Sequence, residues 1–354
     1  MRILLVGGSS GGHIYPLVAV WEALRRMEPQ AQALAVCSQK ESDADMLRAA
    51  GLPYAQIPVV HLSLSLPVTF LRAMKKAQDI LSGFQPDVIF SKGGAVSAPV
   101  CYAAHRMHIP IVLHESDAVS GRANRLVARW ADVVCRGFPI PSVRSPLSVF
   151  TGNPIRRHIT EGSREKGLRL TGLTGDRPIL LVLGGSQGAR AINEVIARRL
   201  DELLAIGDIV HLTGPGKETG VERKGYWARP FVHNELPDVY ALVTLAVSRA
   251  GAGFISELAA NGIPNVLVPI RGVAHDHQQW NAEAVARKNA CVLLAEESLD
   301  TTLVPTINAL IADETKRADL SKHIGEFFQP DAAKNIATIV VAVGNGQTPQ
   351  PGVT

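Results

Sequence analysis

The first candidate for chemistry is a glycine-rich segment that ends in a histidine, Gly7-Gly8-Ser9-Ser10-Gly11-Gly12-His13. It follows the aliphatic residues 3–6 and precedes an amphipathic pattern, which predicts a turn between a strand and a helix. Glycines there let a ligand approach the backbone, and a helix N-terminus attracts negative charge. The segment has neither the Gly-Lys-Ser/Thr ending of a Walker A loop nor GxGxxG spacing. His13 is a candidate general base because imidazole titrates near physiological pH, with a capping or core histidine as the alternative.

Two more glycine turns occur in the second half of the chain. Gly184-Gly185-Ser186-Gln187-Gly188-Ala189 offers small residues and exposed amides that suit a diphosphate, although Ser186 could serve as a helix N-cap as well. Residues 248–257 form the third turn, which opens a helix carrying Glu257. A carboxylate can accept hydrogen bonds from both ribose hydroxyls, whereas the alternative is that Glu257 only complements the helix dipole.

Two acidic or histidine-containing segments raise the question of a metal site. His275-Asp276-His277-Gln278-Gln279-Trp280-Asn281 follows a predicted strand, and its amides suit sugar hydroxyls. No third cluster at ligand spacing accompanies its two histidines. Asp43-Ala44-Asp45 lies in a charged stretch that favours a solvated first helical turn. The sequence therefore predicts no metal site.

Large apolar side chains stand directly before basic ones in residues 61–76. This combination suits a membrane surface that carries anionic lipid. Leucines at this density are more often core residues, so the segment by itself favours a buried helix.

Short aliphatic runs, each followed by a helical pattern, predict the elements that position these segments. They span residues 3–6, 33–37, 88–90, 111–113, 133–135, 179–183, 209–212, 245–247 and 266–268. The stretch Ile3-Leu4-Leu5-Val6-Gly7-Gly8-Ser9 is echoed by Leu180-Leu181-Val182-Leu183-Gly184-Gly185-Ser186, with helical patterns over 16–24 and 192–204. Each copy opens a doubly wound unit. We therefore expect an α/β fold with two Rossmann-like domains facing across a cleft.

Turn residues near Gly152-Asn153-Pro154 place the domain boundary. We expect a first domain over 1–158 and a second over 159–331. A helix over 332–343 packs back on the first domain in this scheme, and 344–354 form a flexible tail.

Composition agrees with two folded domains, because 354 residues correspond to about two domains of roughly 150 residues. Apolar residues make up 46% of the chain, which excludes a disordered chain. No apolar run is long enough to span a bilayer and no signal sequence opens the chain, so we expect a cytoplasmic location. Residues 1–160 hold 17 Lys and Arg against 10 Asp and Glu, whereas residues 161–354 hold 19 against 22. The basic half predicts an anionic partner, with a solvated basic surface as the alternative.

Seven motifs together resemble those of the MurG family of GT-B glycosyltransferases, in order and over nearly the whole chain. They are the Gly7 to His13 segment, Ser91-Lys92-Gly93-Gly94, His114-Glu115-Ser116-Asp117, Gly152-Asn153-Pro154-Ile155-Arg156, the Gly184 to Ala189 segment, the Ser248 to Glu257 segment, and His277-Gln278 with Asn281. The resemblance implies a GT-B fold and inverting transfer of GlcNAc from UDP-GlcNAc to the 4-hydroxyl of MurNAc in undecaprenyl-diphospho-MurNAc-pentapeptide. That reaction turns lipid I into lipid II for peptidoglycan synthesis, with consequences for cell shape, cell division and the cell cycle.

The resemblance also implies partners. These are UDP-GlcNAc, lipid I, the anionic cytoplasmic face of the cell membrane and other cell-wall synthesis proteins, but no nucleic acid. No cofactor is required, since UDP-GlcNAc is a substrate, and stimulation by a divalent ion stays open. Because the acceptor is a lipid, the resemblance favours peripheral membrane contact by Leu64, Leu66, Phe70, Lys75 and Lys76.

Site residues follow by carrying the family motifs onto this chain. His13 is the candidate catalytic base, and the implied substrate-binding residues are Ser10, Gly11, Gly12, Asp117, Arg156, Ser186, Val232, Ala252, Gly253, Phe254, Ile255, Ser256, Glu257 and Gln278. Ser186 would contact the diphosphate, Glu257 the ribose and Val232 the uracil through its backbone. Gln278, with Ala252 and Gly253, would hold the GlcNAc hydroxyls.

The chain departs from the family pattern at two positions. Many members have threonine where Ser10 stands and asparagine where Asp117 stands. Ser10 keeps the hydroxyl group, whereas Asp117 adds a negative charge near an anionic donor.

Three alternative functions differ in their products. Another GT-B enzyme, such as a different glycosyltransferase or a UDP-GlcNAc 2-epimerase, would give another sugar product. An NAD-dependent oxidoreductase is disfavoured by the missing GxGxxG spacing. A non-catalytic nucleotide-sugar-binding protein would bind UDP-GlcNAc without transferring it.

Overall fold

A computed structural model describes residues 1–8, 11–59, 66–139, 147–184, 189–218, 220–232, 234–270, 272 and 276–349. The chain divides into two compact units, one formed by Met1–Arg156 with Gln329–Thr354 and the other by Arg157–Phe328. The expected boundary at 158/159 lies two residues from the observed one at 156/157. The expected second boundary at 331/332 lies three residues from the observed one at 328/329. Positions 350–354 of the expected tail lie outside the described residues.

The first unit contains, within the described ranges, a parallel sheet of seven strands in the order β3-β2-β1-β4-β5-β6-β7. The strands are β1 (Arg2–Val6), β2 (Gln32–Cys37), β3 (Tyr54–Gln56), β4 (Val88–Ser91), β5 (Ile111–Glu115), β6 (Val133–Arg136) and β7 (Ser148–Phe150). The helices between them are α1 (Gly11–Met27), α2 (Glu41–Ala49), α3 (Leu66–Phe84), α4 (Ser97–Arg106) and α5 (Arg122–Val127).

The second unit contains a six-stranded parallel sheet in the order β10-β9-β8-β11-β12-β13, again within the described ranges. Its helices begin with α6 (Arg164–Thr171), and its strands are β8 (Ile179–Leu183), β9 (Asp208–Leu212), β10 (Tyr226–Arg229), β11 (Leu245–Ser248), β12 (Asn265–Leu267) and β13 (Val292–Leu293). The other helices are α7 (Arg190–Arg198), α8 (Leu200–Ile206), α9 (Leu236–Tyr240), α10 (Ala252–Ala260), α11 (His277–Ala286), α12 (Leu299–Ala312) and α13 (Glu314–Gly325). The last helix, α14 (Ala332–Gly344), returns to the first unit, where Ile336 and Val340 join the core with Leu17 and Val20.

The predicted strands are confirmed, because each aliphatic run forms a strand that starts within one residue of its expected place, and β5 continues two residues further than expected, to Glu115. Four further strands, β3, β7, β10 and β13, were not predicted, and each lies at an edge of its sheet. Edge strands bury less of their surface, so they need no continuous aliphatic run. The expected helix over 192–204 is instead two helices, α7 and α8, which break at Arg199, where φ is −105° and ψ is 17°.

Both sheets reverse their strand order at the first strand of the unit. In the first unit β1 lies between β2 and β4, and in the second β8 lies between β9 and β11. Ligands of doubly wound sheets bind beyond the carboxyl ends of the strands at such a reversal. The loops after β1 and β4, and those after β8 and β11, are therefore the places to look for a site in each unit.

None of the helices that the structure describes combines the length and apolarity needed to cross a membrane.

Candidate functional site

His13 lies in the first turn of α1, directly after the glycine segment that follows β1. A Cβ atom added at Gly94, after β4, would lie 3.3 Å from Nε2 of His13, so the imidazole rests against the Gly94 backbone. Gly94 has a φ of +85°, which favours glycine. Gly11 and Gly12 precede His13 in the same helix. The reversal point of the first sheet thus places a histidine beside two converging loops.

The environment of His13 lowers its pKa to about 4. The largest cause is burial, followed by the positive charge of Lys92, while Asp117 and Asp43 act in the opposite direction. A helix N-terminus also disfavours a cation. The imidazole is therefore neutral at pH 7 and can accept a proton, which is what a general base must do.

A group of buried charges lies beside His13, on the loops after β4 and β5. Lys92 and Glu115 are each 2% exposed. The ammonium group of Lys92 contacts the hydroxyl of Ser116. Glu115 accepts hydrogen bonds from the backbone N–H of Asp117 at 3.1 Å and from Nδ2 of Asn124 at 2.9 Å. These contacts connect the two loops into one polar cluster.

Burial and neighbouring charges oppose each other in this cluster. Burial lowers the pKa of Lys92, and the carboxylates of Glu115 and Asp117 raise it. Burial together with the charge of Asp117 raises the pKa of Glu115. Burial and the nearby ammonium group hold the pKa of His114 well below its usual range, and its Nε2 lies 3.0 Å from the carbonyl oxygen of Gly152. His114 is thus a neutral side chain that ties β5 to the segment after β7.

Arg156 lies at the end of the first unit, with its guanidinium 4.9 Å from the ring centre of Tyr15 on α1. A stacked arginine is held in place while its N–H groups stay free to meet an anion. Tyr15 lies two positions from His13 on α1. The structure therefore brings Gly11, Gly12, His13, Asp117 and Arg156 to one end of the first unit.

In the second unit, α10 holds the predicted residues Ala252 to Glu257. The carboxylate of Glu257 accepts a hydrogen bond of 2.6 Å from the hydroxyl of Tyr240, a side chain that is 2% exposed. Gly253 faces open space, where an added Cβ would meet no atom within 4 Å. The first turn of a helix has backbone N–H groups without intrahelical partners, which suit an anion.

Three of the predicted α10 residues, Ala252, Ile255 and Ser256, are buried in the unit. Ile255 is 1% exposed and belongs to the interior, and the hydroxyl of Ser256 donates to the carbonyl oxygen of Ala252 at 2.8 Å. Their side chains pack α10 onto the sheet, so a ligand would meet this part of α10 through its backbone. Phe254 is half-buried.

A side chain of α11 hydrogen-bonds to the loop before α10. Asn281 is fully buried and donates from Nδ2 to the carbonyl oxygen of Ala250 at 3.1 Å. The side-chain oxygen of Gln278 accepts from the backbone N–H of Ile270 at 3.3 Å, and its amide nitrogen carries two N–H donors. Val232 is 7% exposed and follows β10, and its backbone contact with uracil stays a prediction.

The predicted residues Ser10, Ser186 and Leu64 lie outside the described residues. Leu66 begins α3. On that helix Leu71, Arg72, Lys75 and Lys76 are exposed, and Phe70 is half-buried, with its ring centre 6.3 Å from that of Tyr102. Ala73, Ala77 and Leu81 form the buried face. The helix therefore supplies both a core face and an apolar and basic outer face.

Sequence reasoning missed two side chains that shape these sites. Tyr240 gives no local signal, since it lies 17 positions before Glu257. Lys92 was noted only as part of the Ser91-Lys92-Gly93-Gly94 motif, and its burial follows from the order of the strands in the sheet. Within the described residues no group of three or more His, Cys, Asp or Glu side chains could hold a metal ion.

Comparison with known families identifies the two units. Residues 3–135 match the glycosyltransferase family 28 N-terminal domain, and residues 179–336 match the glycosyltransferase family 28 C-terminal domain. The chain belongs to glycosyltransferase family 28. Each match covers the core of one unit, so this family 28 chain carries both domains that the family comprises.

Two relatives of this family 28 chain carry the same name, UDP-N-acetylglucosamine–N-acetylmuramyl-(pentapeptide) pyrophosphoryl-undecaprenol N-acetylglucosamine transferase. The protein of Listeria monocytogenes serotype 4a (strain HCC23) is 33% identical over 97% of this chain and 99% of its own length. The protein of Symbiobacterium thermophilum (strain DSM 24528 / JCM 14929 / IAM 14863 / T) is 35% identical over 97% of this chain and 96% of its own length.

The crystal structure of MurG from Acinetobacter baumannii resembles the family 28 chain with a TM-score of 0.77. That match covers 96% of this chain and 99% of the other, at 22% identity. At this identity the likeness concerns the fold. It confirms the prediction of two Rossmann-like domains of the GT-B class.

Proposed function

We propose that the chain transfers GlcNAc from UDP-GlcNAc to the 4-hydroxyl of MurNAc in undecaprenyl-diphospho-MurNAc-pentapeptide, with inversion at the anomeric carbon. The product is lipid II, the precursor of peptidoglycan, on which cell shape and division depend. The observation that carries this proposal is the agreement along the full chain with relatives named for that transfer. Both family 28 domains are matched, which favours a complete transferase over a binding module.

The second unit supplies groups suited to the donor. The N-terminal turn of α10 offers backbone N–H groups to the UDP diphosphate, and Glu257 offers a carboxylate to the ribose hydroxyls. Gln278 offers amide N–H groups to GlcNAc hydroxyls, and Val232 offers its backbone to uracil. Ser186 completes this set as a diphosphate contact predicted from sequence.

The first unit supplies the chemistry. The imidazole of His13 takes the proton from the acceptor hydroxyl, and the hydroxyl oxygen forms a bond to the anomeric carbon. The bond from that carbon to the diphosphate oxygen breaks, and the electron pair leaves with UDP. Arg156 and helix N-termini offset the charge that grows on the diphosphate. Attack on the face opposite the leaving group gives inversion.

No cofactor takes part in this proposal, since UDP-GlcNAc is consumed as a substrate. A divalent ion that travels with the diphosphate would act as an accessory charge. Adding such an ion to the assay measures how much it stimulates transfer.

We also place the chain at the cytoplasmic face of the cell membrane, as a peripheral protein. The outer face of α3 combines exposed Leu71 with exposed Lys75 and Lys76, next to half-buried Phe70. Apolar side chains that enter the headgroup region next to lysines bind anionic lipid surfaces. From the sequence alone, Leu64 and Leu66 are further candidates for this contact. An acceptor anchored in the membrane by its polyprenyl chain requires such contact, and other cell-wall synthesis proteins would meet the chain there.

The deciding experiment incubates purified protein with radiolabelled UDP-GlcNAc and a lipid I analogue of shortened polyprenyl chain. We expect one UDP released per disaccharide lipid formed, and a β1,4 linkage by NMR. Epimerised sugar formed without acceptor would overturn the proposal in favour of a 2-epimerase. Binding of UDP-GlcNAc without any product would overturn it in favour of a non-catalytic binding protein.

A further inference from the structure

The candidate donor site of the second unit presents backbone at the start of α10, so the loop before that helix determines its shape. Gly251 is the N-cap of α10 and has no side chain that could accept from the first N–H groups of the helix. Ala252 and Ile255, in the first turn, are buried. An anionic ligand would therefore meet backbone N–H groups, whose direction depends on how the loop between β11 and α10 is held.

Arg249 is the charged residue of that loop, and it lies in the interior of the unit. It is 6% exposed, although arginine is seldom buried without partners. Its Nη1 donates to the carbonyl oxygen of Val268, directly after β12, at 3.1 Å. Its Nη2 forms an ion pair with the carboxylate of Glu296, which begins a short 3-10 helix, Glu296–Ser298, after β13. These two nitrogens thus bind the protein itself rather than a ligand.

The backbone around Arg249 is held as well. The N–H of Arg249 donates to the carbonyl oxygen of Leu183, at the end of β8, at 3.3 Å. Its carbonyl oxygen accepts from the hydroxyl of Ser248 at 2.9 Å, and Asn281 donates to the carbonyl oxygen of the next residue, Ala250. The strands β8, β11, β12 and β13 are neighbours in this order. Arg249 therefore connects the segments at the carboxyl ends of four adjacent strands.

Two simpler roles for the guanidinium give different expectations. A cation could attract the diphosphate through its charge alone, but the carboxylate of Glu296 lies against this guanidinium and offsets that charge. A buried ion pair could also serve stability alone. Apolar side chains of similar size usually replace such a pair without loss of stability, so stability and donor binding can be measured apart.

We propose that Arg249 and Glu296 are positioning residues for the donor, an ion pair that fixes the loop before α10 so that the backbone N–H groups of its first turn point at the diphosphate of a nucleotide sugar. This inference rests on the proposed function of the second unit as the donor site. Both residues act through the backbone of that loop.

The test compares the Kd of UDP-GlcNAc, by calorimetric titration, with the melting temperature of the same full-length variants. Arg249→Met breaks the pair, so it should lower the melting temperature and weaken UDP-GlcNAc about tenfold, the factor that a hydrogen bond of a charged group carries. Arg249→Met/Glu296→Met replaces both charges by apolar side chains. Its melting temperature should return toward wild type. Its Kd should stay raised, because the bond to Val268 is still missing.

Two single variants separate charge from position. Arg249→Lys keeps the positive charge but lacks the planar fork that reaches both partners, so its Kd should also rise. Glu296→Met leaves the guanidinium without its anion and should weaken the donor too. Arg169→Met, which removes an exposed arginine of α6 that pairs with Glu165, is the charge-matched control and should change neither quantity.

Three binding results would contradict the proposal. A double variant with wild-type melting temperature and wild-type Kd would mean that the pair only stabilises the fold. A wild-type Kd in Arg249→Lys would mean that charge alone acts on the donor. A wild-type Kd in Glu296→Met would remove the ion pair from the site. If circular dichroism shows that neither Arg249→Lys nor the double variant folds, Arg249 is a folding requirement and the proposal is overturned.

The Kd measurement needs neither acceptor nor turnover, so the two proposals fail separately. Wild-type protein that binds UDP-GlcNAc without transferring it contradicts the proposed function alone. Variants that bind like wild type contradict the role of the ion pair alone. Wild-type protein that does not bind UDP-GlcNAc contradicts both.

Discussion

The candidate sites of the two units differ in how they handle charge. In the first unit Lys92 and Glu115 are buried beside His13, whose pKa is lowered to about 4. In the second unit the described candidate site consists of a helix N-terminus, amide side chains and one carboxylate, Glu257, that accepts from Tyr240. The same doubly wound topology therefore supports two kinds of site at the same place in the sheet.

This difference indicates a division of work. A base needs its protonation state set, and buried charges do that at the expense of stability. Holding a nucleotide sugar needs hydrogen-bonding groups of fixed direction, and backbone N–H groups with a buttressed carboxylate provide them. We therefore expect changes in the first unit to slow transfer and changes in the second to weaken donor binding.

The largest expected effect is that of His13→Ala. Removing the base should lower the transfer rate at saturating substrates by about 10²- to 10⁴-fold, because general base catalysis contributes about that much. Initial rates with radiolabelled UDP-GlcNAc measure it. His108→Asn, at an exposed histidine of the same unit with a φ of +57°, is the control and should keep the wild-type rate. A rate for His13→Ala within threefold of wild type would remove His13 as the base.

Glu257→Gln should have the next largest effect, and it should change the donor KM rather than the transfer rate. Losing the carboxylate that accepts from the ribose hydroxyls should cost about 2 to 3 kcal/mol, which raises the donor KM roughly 30- to 150-fold. Steady-state kinetics at varied UDP-GlcNAc measure it, with exposed Glu314→Gln as the control. If the donor KM is unchanged while the turnover rate falls, the proposed division of work between the two units is wrong.

Tyr240→Phe should weaken the donor less. It removes the 2.6 Å hydrogen bond that orients Glu257, and a bond to a charged group is worth about 1.5 kcal/mol, or roughly tenfold in donor KM. The penalty should shrink for a donor whose ribose lacks the 2′-hydroxyl, because the oriented carboxylate then has less to bind. A penalty of the same size with both donors would mean that Tyr240 only stabilises the fold.

Lys75→Gln should have the smallest effect. One lysine near an anionic surface contributes about 1 kcal/mol, so binding to phosphatidylglycerol vesicles should weaken roughly fivefold. Sedimentation with vesicles measures this, and Lys334→Gln on α14 serves as the matched control. Equal binding by both variants would exclude the outer face of α3 as the membrane contact.

The central strands could be predicted from the sequence because each leaves a local signal. Runs such as residues 179–183 need continuous aliphatic side chains to be buried on both faces. The edge strands β3, β7, β10 and β13 escaped prediction because their residues are less buried and their pattern is weak.

The parts of the candidate sites that depend on contacts between residues distant in sequence could not be predicted. His13 and Glu257 could be proposed from the sequence because each follows a glycine-rich segment. Lys92 and Tyr240 could not, because the partners that define them are distant in sequence: Ser116 lies 24 positions from Lys92, and Glu257 lies 17 positions from Tyr240. The orientation of Ile255 and Ser256 into the unit likewise follows from how α10 packs.

The most direct test of the division of work measures donor Kd and single-turnover transfer rate in the same preparations of His13→Ala and Glu257→Gln. We expect His13→Ala to bind UDP-GlcNAc within twofold of wild type and to transfer it about 100-fold or more slowly. Glu257→Gln should bind it weakly and, at saturating donor, transfer it at close to the wild-type rate. The account is contradicted if both variants lose donor affinity and transfer rate in equal measure.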